Sequence, residues 1–407
     1  VVEGDDVIFI AEDGSYALVS VQKDVRAYPS VYRYELAAGG KRWRVQDPRP
    51  GVWSWHADSN GVVRLGTGWR LGRLRIYYRS GPDADLRLIE KLKADEIEDK
   101  FWDVAQIVSG SDHGHVLHEG PSGRVGLYIF DLSTREPVEL VYEHPEHDVE
   151  SVLFRDGKPV GAFFTDVRDR AHWLDAGYAE TYAQLERSLT QNEIWVISRA
   201  KDNSRMLVGA GSESDPGLIY NYDVTGKRME VLVEMRPEID ITHLAVPKPI
   251  AYTARDGTRI HGYLTLPRGR EASGLPLIIL PHGGPYGIRD KLDYDDQVQL
   301  LANRGYAVLQ PNFRGSGGYG QDFYDLGVGQ IGRGMQDDLD DGMDWAVARG
   351  IADPARVCVV GGSYGGYAAL WAVIRNPERY RCAASFAGVT DWNLILKYDR
   401  RFFTREA

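Results

Sequence analysis

The sequence predicts a partial β-propeller followed by an α/β domain with a mostly parallel sheet. Residues 1–245 carry short alternating strands separated by polar turns, for example GRVGLYIFDLSTREPVELVYE, and this spacing is typical of all-β folds. Residues 246–407 instead alternate apolar strands with amphipathic helices, which indicates a parallel sheet covered on both faces. We place the domain boundary where Pro237, Pro247 and Pro249 interrupt the chain.

The composition of the 407 residues indicates globular domains with an apolar core, since 43% of the residues are hydrophobic and 26% are charged. The net charge of −11 argues against nucleic acid or a membrane surface as a partner, because both favour basic proteins. The apolar runs fall far short of the roughly 20 residues that span a bilayer. A soluble protein in the cytoplasm, in the periplasm or outside the cell remains compatible with this composition, and oligomerisation is open.

An internal repeat indicates that the all-β part is a propeller. The segment GLYIFDL at 126–132 is echoed by GLIYNYDV at 217–224, and weaker echoes occur at 32–36 and 76–79. These intervals are multiples of about 45 residues, the length of a four-stranded propeller blade. The alternative is a chance likeness between strands of similar composition. Five blades fill the first domain, so we expect the propeller to start before residue 1.

One segment of the first domain departs from the strand pattern. Residues 173–189 place Tyr178, Tyr182, Leu185 and Leu189 at helical spacing. We therefore expect an amphipathic helix inserted between two propeller strands.

The α/β domain begins with a hairpin around an Asp256-Gly257 turn and continues as alternating strands and helices. The expected strands are 275–280, 306–310, 356–360 and 382–386, and the expected helices are 297–303, 335–349 and 364–375. Four aspartates lie in the first half of one of these helices, namely Asp337, Asp338, Asp340 and Asp341. The helix dipole favours negative charge there, so we interpret them as a charged helix end and not as a metal site.

The strongest functional signal is GGSYGGY at 361–367. Its G-x-S-x-G pattern lies between an apolar strand and a helix, which is the setting of a nucleophile elbow. Such a turn is strained, and glycines two positions from the serine leave room for the crowded backbone. The hydroxyl then stands above the positive end of the helix. We therefore expect Ser363 to be a catalytic nucleophile, the alternative being a simple Gly-Ser turn.

A second signal, PHGGPYG at 281–287, directly follows the expected strand 275–280. Acyl transfer needs two backbone N–H groups aimed at the developing oxyanion. In α/β-hydrolase folds one comes from the residue after the nucleophile, here Tyr364, and the other from the loop after the third strand. We choose Gly284 for the second, because glycine lets a substrate carbonyl approach the backbone. The alternative is a tight Gly-Pro turn.

Together these motifs resemble the catalytic domain of the prolyl oligopeptidase family of serine peptidases, nearest its acylaminoacyl-peptidase-like branch. The matching pieces are ARDGTRIHGYLTLP, LPHGGPYG, NFRGSGGYGQDF, MQDDLDDGMDWAV, DPARVCVVGGSYGGYAAL and YRCAASFAGVTDW. The resemblance implies a β-propeller joined to an α/β-hydrolase domain. It also implies hydrolysis of short or N-blocked peptides, with the propeller limiting entry to small substrates.

The chain departs from this family where the catalytic triad should be completed. In this fold the order is Ser, then Asp or Glu, then His, yet all ten histidines precede Ser363, and Asp391 and Asp399 come too early for the acid. We therefore expect an incomplete hydrolase domain, truncated at the C-terminus, that is inactive alone because a serine without a base is a poor nucleophile. We do not expect His282, on the oxyanion loop, to replace that base.

Three functions remain open at this point. We favour a serine peptidase that forms an acyl-enzyme on Ser363 and takes a small peptide as substrate, without cofactor or metal. An esterase of the same fold uses the same site. A propeller binding module with an inactive hydrolase domain fits the missing histidine. Residue preference and the choice between exo- and endo-cleavage are left open.

Four further residues carry weaker signals. His113, His115 and His118 are compact enough to bind a metal, but we interpret them as surface residues of a propeller loop. We expect Arg314 to anchor the loop beside the active site.

The two cysteines, Cys358 and Cys382, fall in short apolar runs that we expect to be neighbouring buried strands. Two packed thiols are the favoured interpretation. A disulfide is the alternative if the protein occupies an oxidising compartment.

Overall fold

The computed structural model describes residues 5–24, 27–36, 40–93, 102–189 and 193–398. These residues divide into two compact units. One contains the described residues up to Phe164 together with those from Asp391, and the other contains Thr165–Thr390. Asp399 lies outside the described residues.

Five antiparallel sheets precede the α/β part in the described chain. The first sheet contains β1 (Asp6–Ile10), β2 (Tyr16–Val21), β3 (Ser30–Glu35) and β4 (Arg42–Gln46). The second contains β5 (Ser54–Ala57), β6 (Val63–Trp69), β7 (Arg73–Tyr78) and β8 (Arg87–Lys93). The third contains β9 (Trp102–Ile107), β10 (His113–Glu119), β11 (Val125–Asp131) and β12 (Glu136–Tyr142). The fourth sheet has three strands, β13 (Val149–Arg155), β14 (Lys158–Thr165) and β15 (Asp169–Trp173). The fifth contains β16 (Glu193–Arg199), β17 (Arg205–Ser212), β18 (Asp215–Asp223) and β19 (Arg228–Glu234). The sheets begin at regular intervals, so the predicted blade repeat is confirmed.

Consecutive sheets of the first unit pack face to face through apolar side chains. Leu18 and Val31 of the first sheet join Trp55 of the second in one buried cluster. Leu65 of the second sheet joins Val116 of the third in another. Face-to-face packing of successive four-stranded sheets is the architecture of propeller blades.

The expected inserted helix is present as α1 (Ala176–Ser188). Asp175 caps its N-terminus by accepting a hydrogen bond from the Tyr178 amide at 3.0 Å. Leu185 on the inner face is buried and packs in a cluster with Met206 of β17. The amphipathic spacing therefore identified this element correctly, although Trp173 belongs to β15.

The α/β part contains a six-stranded sheet in the order β20-β21-β23-β22-β24-β25. Its strands are β20 (Lys248–Thr253), β21 (Arg259–Thr265), β22 (Leu275–Ile279), β23 (Ala307–Asn312), β24 (Ala352–Gly362) and β25 (Cys382–Phe386). The helices are α2 (Asp296–Asn303), α3 (Gln321–Asp325), α4 (Gly334–Ala348), α5 (Tyr364–Arg375) and α6 (Trp392–Tyr398), with a short 3-10 helix at Ile241–His243. The hairpin β20–β21 and the pair β21–β23 are antiparallel, and the other pairs are parallel. The mostly parallel sheet is thus confirmed.

Two expectations about individual residues are corrected. The three clustered histidines lie on strand β10 and not in a loop, with the His115 ring tilted against Phe154 and His118 edge-on to Tyr128. Alternation along a strand directs His118 to the face opposite His115. Cys358 and Cys382 are joined by a disulfide, so the favoured interpretation of two free thiols was wrong. Their strands are neighbours, as predicted, but Cys382 is exposed and not buried.

Within the described ranges no helix combines the length and the apolar character needed to cross a membrane.

Candidate active site

Ser363 occupies the turn between the end of strand β24 and the start of helix α5. Its φ angle is +55°, in the left-handed region that a residue with a side chain rarely adopts. The strained turn is held on both sides, because the Ser363 N–H donates to the Phe386 carbonyl at 2.9 Å and the Ser363 carbonyl accepts from the Tyr367 amide at 3.1 Å. Ser363 itself is exposed. This is the backbone geometry that the sequence motif predicts for a nucleophile elbow.

The glycines around Ser363 are required by close backbone packing. A Cβ atom on Gly361 would lie 2.4 Å from the backbone of Gly365. A Cβ atom on Gly365 would lie 2.1 Å from the carbonyl oxygen of Pro281. The first helical turn therefore packs against both the strand end and the loop that follows β22. Any side chain at these positions would push the turn at Ser363 away from that loop.

The loop after β22 brings Gly283 directly beside Ser363. A Cβ atom on Gly283 would lie 3.6 Å from the Ser363 Cβ. The next residue, Gly284, has a φ angle of +116°, which a residue with a side chain would adopt only under strain. Tyr364 starts helix α5, and the first N–H groups of a helix have no acceptor within the helix. The two predicted oxyanion donors, Gly284 and Tyr364, remain a prediction. The close approach of Gly283 was not identified from the sequence.

His282 is buried and organises this loop. Its Nδ1 lies 2.7 Å from the Gly283 carbonyl oxygen, which can only accept, so Nδ1 carries the proton. Its Nε2 lies 2.9 Å from the Ser316 Oγ, and its ring stacks on Phe313 at 4.3 Å between centroids. Burial lowers the pKa of His282 to about 4, so the ring is neutral at pH 7.

The bond from His282 also orients the neighbouring peptide. The Gly283 carbonyl and the Gly284 N–H belong to one planar peptide unit and point in opposite directions. Fixing the carbonyl toward the buried imidazole therefore fixes the direction of the Gly284 N–H. His282 thus fixes the orientation of this peptide. With both ring nitrogens engaged, it is poorly placed to act as a base toward Ser363.

Arg314 ties the neighbouring loop to helix α4. Its Nε and Nη2 donate to the two oxygens of Asp338 at 2.9 and 2.7 Å, and its Nη1 donates to Asp256 at 2.8 Å. The Arg314 backbone N–H adds a third bond to Asp338 at 2.9 Å. This agrees with the expectation that Arg314 anchors the loop. The Arg314 guanidinium lowers the pKa of Asp256 well below its usual range.

The four aspartates of α4 are more than a charged helix end, which corrects the sequence-based interpretation. Asp338 and Asp340 are buried, and Asp340 accepts hydrogen bonds from Tyr380 and Asn376. The two outer carboxylates, Asp337 and Asp341, pair with Arg255. All four carboxylates therefore bind partners from other parts of the fold, and Asp337 and Asp341 share Arg255. No group of His, Cys, Asp and Glu side chains in the described part of the chain is arranged to hold a metal ion.

No partner for the Ser363 hydroxyl is found among the described residues. None of the hydrogen bonds formed there involves the Ser363 Oγ. No described residue therefore supplies a histidine base or its acid to the Ser363 hydroxyl. The triad Asp and His are assigned to no described residue.

Three comparisons place this architecture among known proteins. Residues 292–407 match the model of the prolyl oligopeptidase family. The chain is 34% identical over 342 residues to dipeptidyl aminopeptidase BIII of Pseudoxanthomonas mexicana, covering 79% of this chain and 49% of that protein. It is 34% identical over 125 residues to the acylamino-acid-releasing enzyme of Arabidopsis thaliana, covering 28% of this chain and 16% of that protein.

The fold also matches solved structures. The acylaminoacyl peptidase of Pyrococcus horikoshii superposes with a TM-score of 0.58 at 15% identity, covering 99% of this chain and 74% of that one. At this identity the likeness concerns the fold, and it confirms a propeller followed by an α/β-hydrolase domain. The chain spans about half the length of the curated relatives that it matches over most of its own length.

Proposed function

We propose, from the membership of residues 292–407 in the prolyl oligopeptidase family, that this chain carries the nucleophile of a serine peptidase. The observation that carries the proposal is the exposed Ser363 at φ +55° between β24 and α5. Nothing in a purely structural turn requires an exposed hydroxyl on a strained residue at the carboxyl end of a parallel strand. Strain of this kind concentrates at functional sites.

In the proposed reaction, the Ser363 Oγ attacks the carbonyl carbon of a peptide bond. Its proton passes to a histidine base, and the carbonyl oxygen becomes an oxyanion held by the N–H groups of Gly284 and Tyr364. The base then protonates the leaving amine as the C–N bond breaks, which leaves an acyl group on Ser363. Water, activated by the same base, releases the acid and restores the serine.

The proposed substrates are short or N-blocked peptides. The names of the two curated relatives, a dipeptidyl aminopeptidase and an acylamino-acid-releasing enzyme, support this class. The propeller sheets support it as well, because the resemblance to the prolyl oligopeptidase family implies a propeller that limits entry to the active site to small substrates.

We also propose that residues 1–407 alone are inactive. A serine hydroxyl without a base is a weak nucleophile at neutral pH, and all ten histidines precede Ser363. The alternative function is a propeller binding module, which the absence of a partner for the Ser363 hydroxyl among the described residues favours.

A fluorophosphonate probe tests the proposal on the protein encoded by the complete reading frame. We expect the probe to label the wild type and Ser385→Ala, a control that removes a nearby serine of β25, but not Ser363→Ala. Matched amide and ester substrates then separate a peptidase from an esterase of the same fold. Equal labelling of all three proteins would remove Ser363 as nucleophile, and no labelling at all would favour the binding module.

A further inference from the structure

The loop that follows β22 is attached at both of its ends to the carboxyl end of strand β23. At the start of the loop, the His282 ring stacks on Phe313 at 4.3 Å between centroids. At its end, the backbone of Asp290 is bound by Asn312, the residue directly before Phe313. Because β23 and β24 both pair in parallel with β22, this attachment lies at the same edge of the sheet as Ser363.

Asn312 binds Asp290 through both polar atoms of its side-chain amide. Its Oδ1 accepts the Asp290 backbone N–H at 2.8 Å, and its Nδ2 donates to the Asp290 carbonyl at 3.0 Å. The second N–H of the same Nδ2 donates to the Tyr319 hydroxyl at 2.8 Å. Asn312 is completely buried, so water does not compete for these three bonds.

Tyr319 extends the attachment to the residue before Asp290. Its hydroxyl also accepts a hydrogen bond from the Arg289 Nη2 at 2.8 Å, and the Arg289 guanidinium carbon lies 4.1 Å from the centre of the Tyr319 ring. Two consecutive residues of the loop, Arg289 and Asp290, are therefore held by the pair of Asn312 and Tyr319.

The attached end of the loop packs against Gly284. A Cβ atom on Gly284 would lie 3.5 Å from the Ile288 Cβ. The Ile288 carbonyl accepts from the Gly317 N–H at 3.1 Å. The chain thus leaves Gly284, returns to it at Ile288 and is fixed again at Asp290, two residues later. Releasing Asp290 would let the returning segment shift, and Gly284 with it, because closely packed neighbours transmit such displacements.

We propose that Asn312 is a positioning residue for the backbone N–H of Gly284, with Tyr319 as its support. The inference rests on the proposed function, in which this N–H is one of the two donors to the oxyanion. Asn312 acts through the loop and not on the substrate, because its buried amide is fully used by Asp290 and Tyr319. Its loss should therefore weaken binding of the transition state more than binding of the substrate.

Gln299 on helix α2 offers a matched control in the same unit. It is 3% exposed, and its Oε1 accepts the Ala245 backbone N–H at 2.9 Å. Its Nε2 donates to the Ala245 carbonyl at 2.8 Å and to the Glu213 carbonyl at 3.1 Å. A buried amide thus binds one backbone residue as Asn312 does, but none of these bonds involves the loop after β22. A general loss of stability should affect Asn312→Ala and Gln299→Ala alike.

The test uses the protein from the complete reading frame with a peptide p-nitroanilide and a peptide aldehyde of the same sequence. When the aldehyde binds, the Ser363 Oγ bonds to its carbonyl carbon and the C=O double bond becomes single. The serine proton passes to the base, and the oxygen carries the negative charge where the oxyanion would form. The inhibition constant of the aldehyde therefore reports the oxyanion donors, whereas a merely structural role would not change it selectively.

We expect Asn312→Ala to lower kcat by about tenfold to hundredfold, since a small misplacement of a catalytic group costs this much. KM should change by less than about twofold, because substrate binding does not depend on the oxyanion donor. The inhibition constant of the aldehyde should rise by the same factor as kcat/KM falls. Gln299→Ala should leave all of these constants within about twofold of the wild type.

Urea unfolding shows whether each variant folds. If Asn312→Ala does not, Tyr319→Phe decides instead, because it keeps the ring and removes the hydroxyl that Asn312 and Arg289 share. The loss of that support should lower kcat about threefold to tenfold and weaken the aldehyde equally. Wild-type kcat and aldehyde affinity in the folded Asn312 or Tyr319 variant, or an equal loss in Gln299→Ala, would overturn the proposal.

Failure of the proposed function gives a different result. The wild type itself would then neither hydrolyse the p-nitroanilide nor bind the aldehyde, and the positioning role of Asn312 would fall with it. An active wild type beside an equally active Asn312→Ala would instead remove this inference alone.

Discussion

Two aspartates of the α/β part show how neighbours decide the state of a carboxylate. Asp338 on α4 is fully buried and accepts three hydrogen bonds from Arg314. Burial raises its pKa, and the Arg314 bonds oppose that rise. Asp290, in the segment between β22 and α2, has one carboxylate oxygen that is buried with no hydrogen-bond partner among the described residues.

The consequence of this difference is a difference in charge at pH 7. Burial raises the pKa of Asp290 to about 7, and the nearby carboxylates of Asp295 and Asp293 add to the effect. Asp290 is therefore partly protonated near neutral pH. The pair of Arg314 and Asp338 is instead an ion pair that holds a loop beside Ser363. Burial raises the free energy of a charged carboxylate, and a paired cation lowers it again so that the carboxylate stays ionised.

The largest expected effect comes from removing the cation of that pair. Arg314→Met leaves Asp338 buried without a counterion, which typically costs about 3–5 kcal/mol in the free energy of unfolding. Urea unfolding followed by tryptophan fluorescence at pH 7 measures the loss. The double variant Arg314→Met/Asp338→Leu removes both charges, and we expect it to recover a large part of that free energy. A double variant that is less stable than the single one would contradict this account.

The opposite result is expected at Asp290. Its pKa in the folded protein is above the value of 3.8 for an unperturbed group, so the folded state binds more protons and stability falls as the pH rises from about 4 to 7. Asp290→Asn keeps the shape without the charge. We expect it to raise the free energy of unfolding at pH 8 by about 2 kcal/mol, with the gain shrinking toward pH 4.

Asp296→Asn is the matched control for this pH dependence. Asp296 is the first residue of α2, directly after that segment, and its hydrogen bond with Arg236 lowers the pKa of its carboxyl. The variant should therefore give no gain at pH 8. Equal gains from the two substitutions would show that the net charge of the segment matters and that the burial of Asp290 does not.

A feature could be predicted from the sequence when the residues that it requires lie close together along the chain. The strained strand-to-helix turn at Ser363 was predictable because Gly361, Ser363 and Gly365 lie within five residues between a strand and a helix. The blade repeat was predictable because the same strand pattern recurs at a constant interval. Both depend on neighbours along the chain.

The features that were not predicted depend on the order of the strands in the sheet. The bonds of Arg314 to Asp338 and Asp256 join residues 24 and 58 positions apart. For the disulfide the neighbouring strands were expected, but two free thiols were favoured over the bond between Cys358 and Cys382. No local pattern reports which distant side chains meet, and the four aspartates of α4 were interpreted as a helix end for that reason.

His282 extends the comparison from carboxylates to a buried imidazole. Its pKa of about 4 in the folded protein is below its ordinary 6.5, so the unfolded chain binds the proton more readily and stability falls as the pH drops from 6.5 toward 4. His282→Gln has no ring to titrate. We expect the stability difference between wild type and variant at pH 5 to be about 1 kcal/mol smaller than at pH 7. Unfolding curves at the two pH values measure it, and a constant difference would contradict the neutral assignment.

The smallest effect is expected for arginine–aspartate pairs that are exposed to solvent. Arg255 donates to Asp341 at 2.9 and 2.7 Å and to Asp337 at 3.2 Å, about as many contacts as Arg314 makes. Its side chain is 49% exposed, however, so solvent screens these pairs, and exposed ion pairs contribute about 1 kcal/mol or less. We expect Arg255→Met to lower the free energy of unfolding by about 0.5 kcal/mol, and less at high salt. If it cost as much as Arg314→Met, the number of contacts and not their burial would control stability in this domain. Because the two variants differ mainly in exposure, that single measurement separates the two explanations.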